Sequence, residues 1–242
     1  MTTLAFTDLL TYVAGYEFTT DMNESSLEAP FEELDRTVFG NSAKQRKAGL
    51  EDIEAKLTGL GDFADDAVDE QAFNALRGLQ AVTQIPRGAE TDVAFMYEAR
   101  SLAYQTFGKI GELVPFEVGL KGGKTNGSAG LVRGQLAKER GAVSATGQLG
   151  SVLNLGAPAT GQYVYATLHV FAAGTTITVQ IQSDDSSGMS SPTTRATIGP
   201  ITTVGGTWMT RVAGPFSGET HWRMNVSAIT GTFAVAGAIG IK

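Results

Sequence analysis

The sequence predicts a mainly β chain: a β-sandwich or barrel-forming fold with one short flanking α-helix, followed by a C-terminal β-sandwich. Three observations carry this expectation. Apolar and polar residues alternate with a period of two over many short stretches, the mark of half-buried strands. Thirty glycines among 242 residues, with aromatics at 8%, suit short strands and frequent turns better than packed helices. One stretch, Val68, Ala72, Phe73 and Leu76, repeats clearly at helical spacing.

In chain order, residues 1–12 read as a short helix or an arm, with Phe6, Leu9, Leu10 and Val13 as a weak stripe. Tyr16 and Phe18 begin a strand, and Asn23 to Ser26 is a polar turn. A strand-like segment from Ser26 to Val38 enters a polar loop bounded by Gly40 and Gly49. Strict alternation follows, with Ile53, Ala55, Leu57 and Gly59 on one side and Asp52, Glu54, Lys56 and Thr58 on the other. Asp65 and Asp66 are placed to cap the helix and Gly78 to end it. Ile85-Pro86-Arg87-Gly88 is a turn. Val93, Phe95 and Tyr97 then alternate with Asp92, Ala94 and Met96 in a strand reaching Tyr104. Beyond a turn at Thr106 to Gly111, Val114, Phe116, Val118 and Leu120 share one face. Pro115 removes a ladder donor, which places this strand at an edge or beside a bulge.

Gly122 to Gly130 reads as a flexible connection and Leu131 to Leu136 as a short strand. The Gly-, Ala- and Ser-rich segment from Gly141 to Gly161 has no strong periodicity, so the expected division is 1–150 and 151–242. The second part alternates through six stretches: Tyr163–Phe171, Thr176–Gln182, Arg195–Val204, Thr207–Ala213, His221–Ala228 and Thr232–Ile241. Six strands joined by polar turns describe a small sandwich or jelly roll.

Composition narrows the function classes. The chain has no Cys, which removes disulfides, thiolate metal sites and a Cys nucleophile. The opening MTTLAFTDLL lacks a basic leader with an apolar core, so no secretory signal is expected. The longest apolar run, Phe233 to Ile241, is far short of the roughly 20 residues of a membrane helix, and a soluble chain without membrane partners is expected. Residues 1–100 hold 19 Asp or Glu against 8 Lys or Arg, a balance of −11, whereas 101–160 stand at +3 and 161–242 at +1. An acidic first half argues against holding nucleic acid by phosphate neutralisation. It suits a surface past which DNA slides, although acidity that merely aids solubility is the plainer explanation.

No constellation calls for a catalytic, metal or cofactor site. Gly119-Leu-Lys-Gly-Gly123-Lys124-Thr125 is one residue short of a phosphate loop, and the following NGSAG cannot start the helix that would complete it. His169 and His221 each sit within a strand pattern, with no ligand-spaced partner. Ser183 to Gly188 is an acidic turn without the ligand succession of a calcium loop. Glu28, Glu32, Glu33 and Asp35 read as a solvated face rather than an acid–base site. Trp208 and Trp222 suggest core aromatics, or alternatively a sugar-stacking platform in a carbohydrate- or receptor-binding virion protein.

The stretch from Tyr12 to Gly78 nevertheless carries an ordered set of features. They are a Thr-x-x-Gly-x-Ser entry at Thr37 to Ser42, a basic loop, an Ala-Gly-Leu-Glu-Asp return at Ala48 to Asp52, and the short helix after it. A final hairpin from Phe95 to Gly122, with GKIGELVPFEVGLKGG near its end, completes the set. Together these resemble the major tail tube protein of long, non-contractile bacteriophage tails, over about the first half of the chain. The resemblance implies a structural, non-enzymatic virion protein, made in the host cytoplasm, with no cofactor. It implies homo-hexameric rings stacking into a tube through which double-stranded DNA passes without specific binding. The tape measure, tail tip and terminator proteins are the further partners it implies. It places Gly40, Lys44, Arg46 and Lys47 at the contact between rings; given the −11 balance of the first hundred residues, a net-acidic channel is expected, with Glu28, Glu32, Asp52 and Glu54, on the polar faces of expected barrel strands, as its lining candidates.

Overall fold

A computed structural model describes residues 8–123 and 130–242. The chain is mainly β, with eighteen strands and one helix among the described residues. The first six strands are β1 (Leu10–Val13), β2 (Tyr16–Glu17), β3 (Met22–Glu28), β4 (Phe31–Asp35), β5 (Arg46–Glu51) and β6 (Glu54–Leu60). Helix α1 (Val68–Asn74) precedes β7 (Leu79–Ile85), β8 (Val93–Thr106), β9 (Pro115–Gly122), β10 (Val132–Val143) and β11 (Gly147–Asn154). Then come β12 (Tyr163–Ala172), β13 (Thr176–Asp184), β14 (Thr193–Ile201), β15 (Gly205–Trp208), β16 (Val212–Ala213), β17 (His221–Thr230) and β18 (Phe233–Ile241). The helical reading of residues 1–12 gives way to β1 from Leu10 onward, and residues 1–7 and 124–129 lie outside the described residues.

Two compact units result, and neither is contiguous in sequence. One holds residues 8–20, 79–98 and 130–242; the other holds 21–78 and 99–123. A cut between 150 and 151 does not follow these units. The reason is pairing across it: β10 lies beside β18 from Gly134↔Gly240 to Val143↔Phe233, and β11, read as linker, pairs with β17.

In the first unit the sheet order β15-β12-β18-β10-β8-β7-β1-β2 faces a four-stranded sheet β11-β17-β13-β14. Strand β12 is buried on both faces, and its period of two sorts the two cores. Val164, Ala166, Leu168 and Val170 meet Ile177, Val179, Ile181, Trp222, Met224 and Val226 between the sheets. Tyr165 joins Tyr12, Ile85, Met96, Val132 and Leu136 on the other face. Strand β18 obeys the same rule with Phe233, Val235 and Ile239 toward one core and Ala236 and Ala238 toward the other. Small residues there are a steric demand: a Cβ on Gly134, opposite Gly240, would lie 2.1 Å from the Ile239 carbonyl oxygen.

The larger sheet curls until its ends meet without a ladder. Residue His169 of β12 donates its Nδ1 hydrogen to the Ala14 carbonyl at 2.5 Å, and a Cβ on Gly15 would stand 2.5 Å from the Val170 oxygen. Because a carbonyl only accepts, Nδ1 carries the proton and Nε2 accepts from the Thr83 hydroxyl at 2.8 Å. Thr167 then donates to Thr83 at 2.8 Å. This directed chain satisfies three buried polar side chains, and burial pushes the His169 imidazole down to about 4.

The second unit is a sheet β3-β6-β9-β8 with α1 on one face. Its inner face is the alternation expected from sequence: Ile53, Ala55 and Leu57 are buried, as are Phe116, Val118 and Leu120 on β9. Val68 and Ala72 of α1 are also buried, and Tyr104 of β8 donates its hydroxyl to Asp69 on the helix. Four sequence expectations are corrected here. Pro115 stands in an interior strand, tolerated because it is the first residue of β9, which lies between β6 and β8. On the part of β8 that lies in the first unit, Ala94, Met96 and Tyr97 are all fully buried while Val93 and Phe95 are half-buried, so the strand is covered on both faces rather than on the one expected. Phe73 is 63% exposed and so lies off the buried helical stripe. No side chain caps the helix at Ala67, and the left-handed residue after it is Arg77 (φ 67°) rather than Gly78.

Candidate assembly surface

The stretch expected as one long strand and a polar loop folds as a ribbon of its own. The strand breaks at Ala29-Pro30, and β4 and β5 pair only with each other, in register Glu33↔Ala48, Leu34↔Lys47 and Asp35↔Arg46. The connecting residues are tied by short local bonds. Arg36 N–H donates to the Gln45 carbonyl (2.8 Å), Thr37 N–H to Asp35 Oδ1 (2.8 Å) and Gln45 N–H to Thr37 Oγ1 (3.1 Å). The hydroxyl and amide of Thr37 hold the Asp35 carboxyl below its ordinary range. Thr37 of the entry motif thus closes the hairpin, while Gly40 takes a positive φ of 94° within it.

Of the four residues named for the contact between rings, Gly40 and Lys44 lie in the connection, while Arg46 and Lys47 lie on β5. All four are exposed, and Arg46 forms an ion pair with Glu33 of the facing strand. The ribbon therefore presents Lys44 and Lys47 outward, with part of the Arg46 charge met locally.

The residues named for a channel wall separate into two places. Glu28 and Glu54 stand directly opposite each other on the outer face of β3-β6-β9-β8, in one row with Lys121 and Arg100. Glu24, Thr58, Glu117 and Gln105 form another row, and Ser26, Lys56, Gly119 and Ala103 the row between. Lys121 pairs with Glu54, and Lys56 with Glu117 at 2.7 Å. Glu54 raises the Lys121 ammonium pKa, chiefly through their hydrogen bond. This outer face holds four carboxylates against three cations, and so is mixed and weakly acidic. Glu32 lies instead on β4, and Asp52 in the return to β6, its amide bound to the Pro30 carbonyl.

Sequence reasoning missed the apolar side chains that surround these charges. Of thirteen large hydrophobic residues exposed among the described ones, all but Val204 belong to the second unit. They gather at two ends of its sheet. Phe31, Leu34, Val38, Phe39 and Leu50 lie on the ribbon; Leu60, Phe63, Phe107, Ile110 and Leu113 lie where β6 and β8 end and β9 begins. At the latter end Phe63 stacks on Phe107 with ring centroids 6.2 Å apart, and Gly61 N–H donates to the Val114 carbonyl at 2.7 Å. The available signal was apolar residues inside Gly-bounded turns, where turn chemistry calls for polar ones.

The other sequence candidates resolve into structural roles. Trp222 is fully buried and donates to the Gly156 carbonyl at 3.0 Å; half-buried Trp208 packs near Tyr165, 5.9 Å between centroids. Neither forms an exposed stacking platform. The Asp184 carboxylate accepts from the amides of Asp185 (2.7 Å) and Ser191 (2.9 Å), an Asx-type turn whose bonds, led by Ser191, lower its pKa. Among the described residues no group of three or more His, Asp or Glu side chains is arranged to hold a metal, and no helix is long and apolar enough to cross a membrane.

No protein-family model matches the chain, and no curated protein matches it in sequence. Among solved structures it is similar to a chain of the native gene transfer agent virion and to one of the tail of the empty gene transfer agent particle, solved with C6 symmetry. Each of these shows 15% identity and a TM-score of 0.41, over 51% of this chain and 96% of the other. It is also similar, at 10% identity and TM-score 0.37 over 96% of this chain and 98% of the other, to the Dit protein (gp 19.1) of phage SPP1, a hub adsorption apparatus protein of a phage infecting Gram-positive bacteria.

Proposed function

We propose that the chain is a structural subunit of a phage tail, assembling as homo-hexameric rings that stack into a tube for DNA. The observation that carries this reading is the concentration of exposed apolar side chains on the second unit, the part that bears the tail-tube-like residues. Exposed Phe, Leu and Ile in such numbers are costly to leave in water, and their burial between copies is the ordinary remedy. An isolated two-stranded ribbon is marginal in water, and β4–β5 has the form of an arm that gains its order against a neighbour. Gly40, Lys44, Arg46 and Lys47 sit at that arm and act as the contact between rings.

The outer face of β3-β6-β9-β8 is the candidate channel wall, with Glu28 and Glu54 in it and Asp52 and Glu32 beside its mouth. Its cations are matched by carboxylates, so it offers phosphates no uncompensated basic stripe and lets DNA pass. Tape measure, tip and terminator proteins would meet the ends of such a tube, and the virion is its location. Sedimentation velocity over a rising concentration series tests the reading. Discrete large oligomers appearing cooperatively support it; a monomer throughout contradicts it.

A further inference from the structure

The first unit carries a cleft that its own strands leave open. Ala196 to Gly199 of β14 form one wall and Thr207 to Val212, running from β15 into β16, the other, around a cavity of about 390 Å³. Side chains on a strand alternate between faces, so a wall of four consecutive residues includes the strand's main-chain edge. Strand β14 is the last of its sheet, with β13 as its one ladder neighbour among the described residues. The outward amides and carbonyls of that edge therefore have no ladder partner. Two register shifts bracket its regular part: Ala196, Thr197 and Ile198 pair in step with Ile181, Gln180 and Val179, and the register slips on either side. Beside the edge the cleft is apolar, with Ile198 and Met209 buried and Val212 packed against the same core. None of the lining residues is acidic and one, Arg211, is basic. Its guanidinium is held 4.0 Å over the Tyr163 ring and bonds to the Tyr165 side chain.

We infer that this cleft receives a short extended segment of another polypeptide, which adds to β14 as a fifth strand of its sheet. A row of unpaired amides and carbonyls is answered by extended main chain. Side chains of the added strand point by turns onto Ile198, Met209 and Val212 and out to water, so the segment alternates apolar and polar residues. A carboxylate on it meets Arg211. The occupant is not β14 of a second copy. Only three residues stay in register between the shifts, and Pro200, which has no amide hydrogen, closes the run. That edge is too short and too kinked for edge-to-edge pairing of copies, whereas a short inserted strand fits it. The cleft lies wholly in the first unit and owes nothing to the exposed apolar ends of the second.

Hydrogen exchange read by mass spectrometry on the full chain tests this. The probe is a capped heptapeptide of alternating valine and threonine ending in glutamate; the control is the same peptide N-methylated at every internal amide. Amides 196–198 are expected to exchange roughly tenfold more slowly at saturating probe and to be unaffected by the control. Thr210→Trp, at an exposed position in the cleft wall, should fill the cleft and abolish the protection. Arg211→Glu should weaken the probe about fivefold and favour a lysine-ended peptide instead. Thermal unfolding checks that both variants fold. No protection in the wild type, equal protection by the N-methylated control, or binding unchanged in both variants overturns the proposal. So does protection by the neutral oligosaccharide maltoheptaose but not the probe, or protection that grows with protein concentration alone, which would give the edge to a second copy.

Discussion

His169 shows how much one residue can hold. Sequence placed it on a sheet face without a partner; folding brings Thr83, from β7, and the Ala14 carbonyl, between β1 and β2, to its two nitrogens. The groups near it are Tyr12 at 5.7 Å between rings, Phe171, and the Arg140–Glu17 pair at 2.7 Å, with Arg140 lying over Phe171. Its folded pKa of about 4 lies below the ordinary 6.5, so the folded chain resists a proton that the unfolded chain accepts. The contribution is complete above about pH 6.5 and is lost as pH falls toward 4, on the order of 3 kcal/mol in all. Denaturant midpoints measured from pH 7 to 4 should fall accordingly. His169→Gln should flatten that slope at a lower overall stability; an unchanged slope would remove His169 as its source. Gly134→Ala, forced against the Ile239 carbonyl, should cost about 1–3 kcal/mol by the same measurement. Neither role was legible in the sequence, because both depend on residues far apart in the chain meeting across β12 and β18.

Elements were legible where alternation was strict. Five of the six stretches expected after residue 160 each overlap one strand, the sixth, Thr207–Ala213, divides between β15 and β16, and Ala55 and Leu57 of β6 are buried together with Ile53 just before it. The ribbon was misread because a strand buried on neither face has no apolar period to display. Helix α1 was read with the right position but too wide a stripe: seven residues give two buried positions, Val68 and Ala72, and leave Phe73 outside. Val68→Ala should therefore destabilise by about 1–2 kcal/mol, while Phe73→Ser should stay within about 0.5 kcal/mol. Thermal unfolding of the two variants separates them; equal losses would mean that Phe73 is packed after all.

At the scale of the whole molecule, composition gave the mainly β class and charge gave the acidic first half, but neither reveals which strands are neighbours. The Gly-rich segment at 141–161 looks like a linker because β11 is interrupted by a register shift between Leu149 and Leu153 and its glycines hide the alternation. A chain ending at Gly150 would leave β10 without β18 and remove most of the core between the sheets. It should therefore lose cooperative unfolding in calorimetry, and a sharp, native-like transition would show that the first 150 residues fold alone. On the proposed reading, copies of this chain build a tube in which neighbours cover the exposed apolar ends of the second unit. Electron microscopy of the concentrated wild-type protein tests this most directly: six-fold rings stacked into tubes with an open axial channel are expected, and a field of separate compact particles at every concentration would rule the tube out.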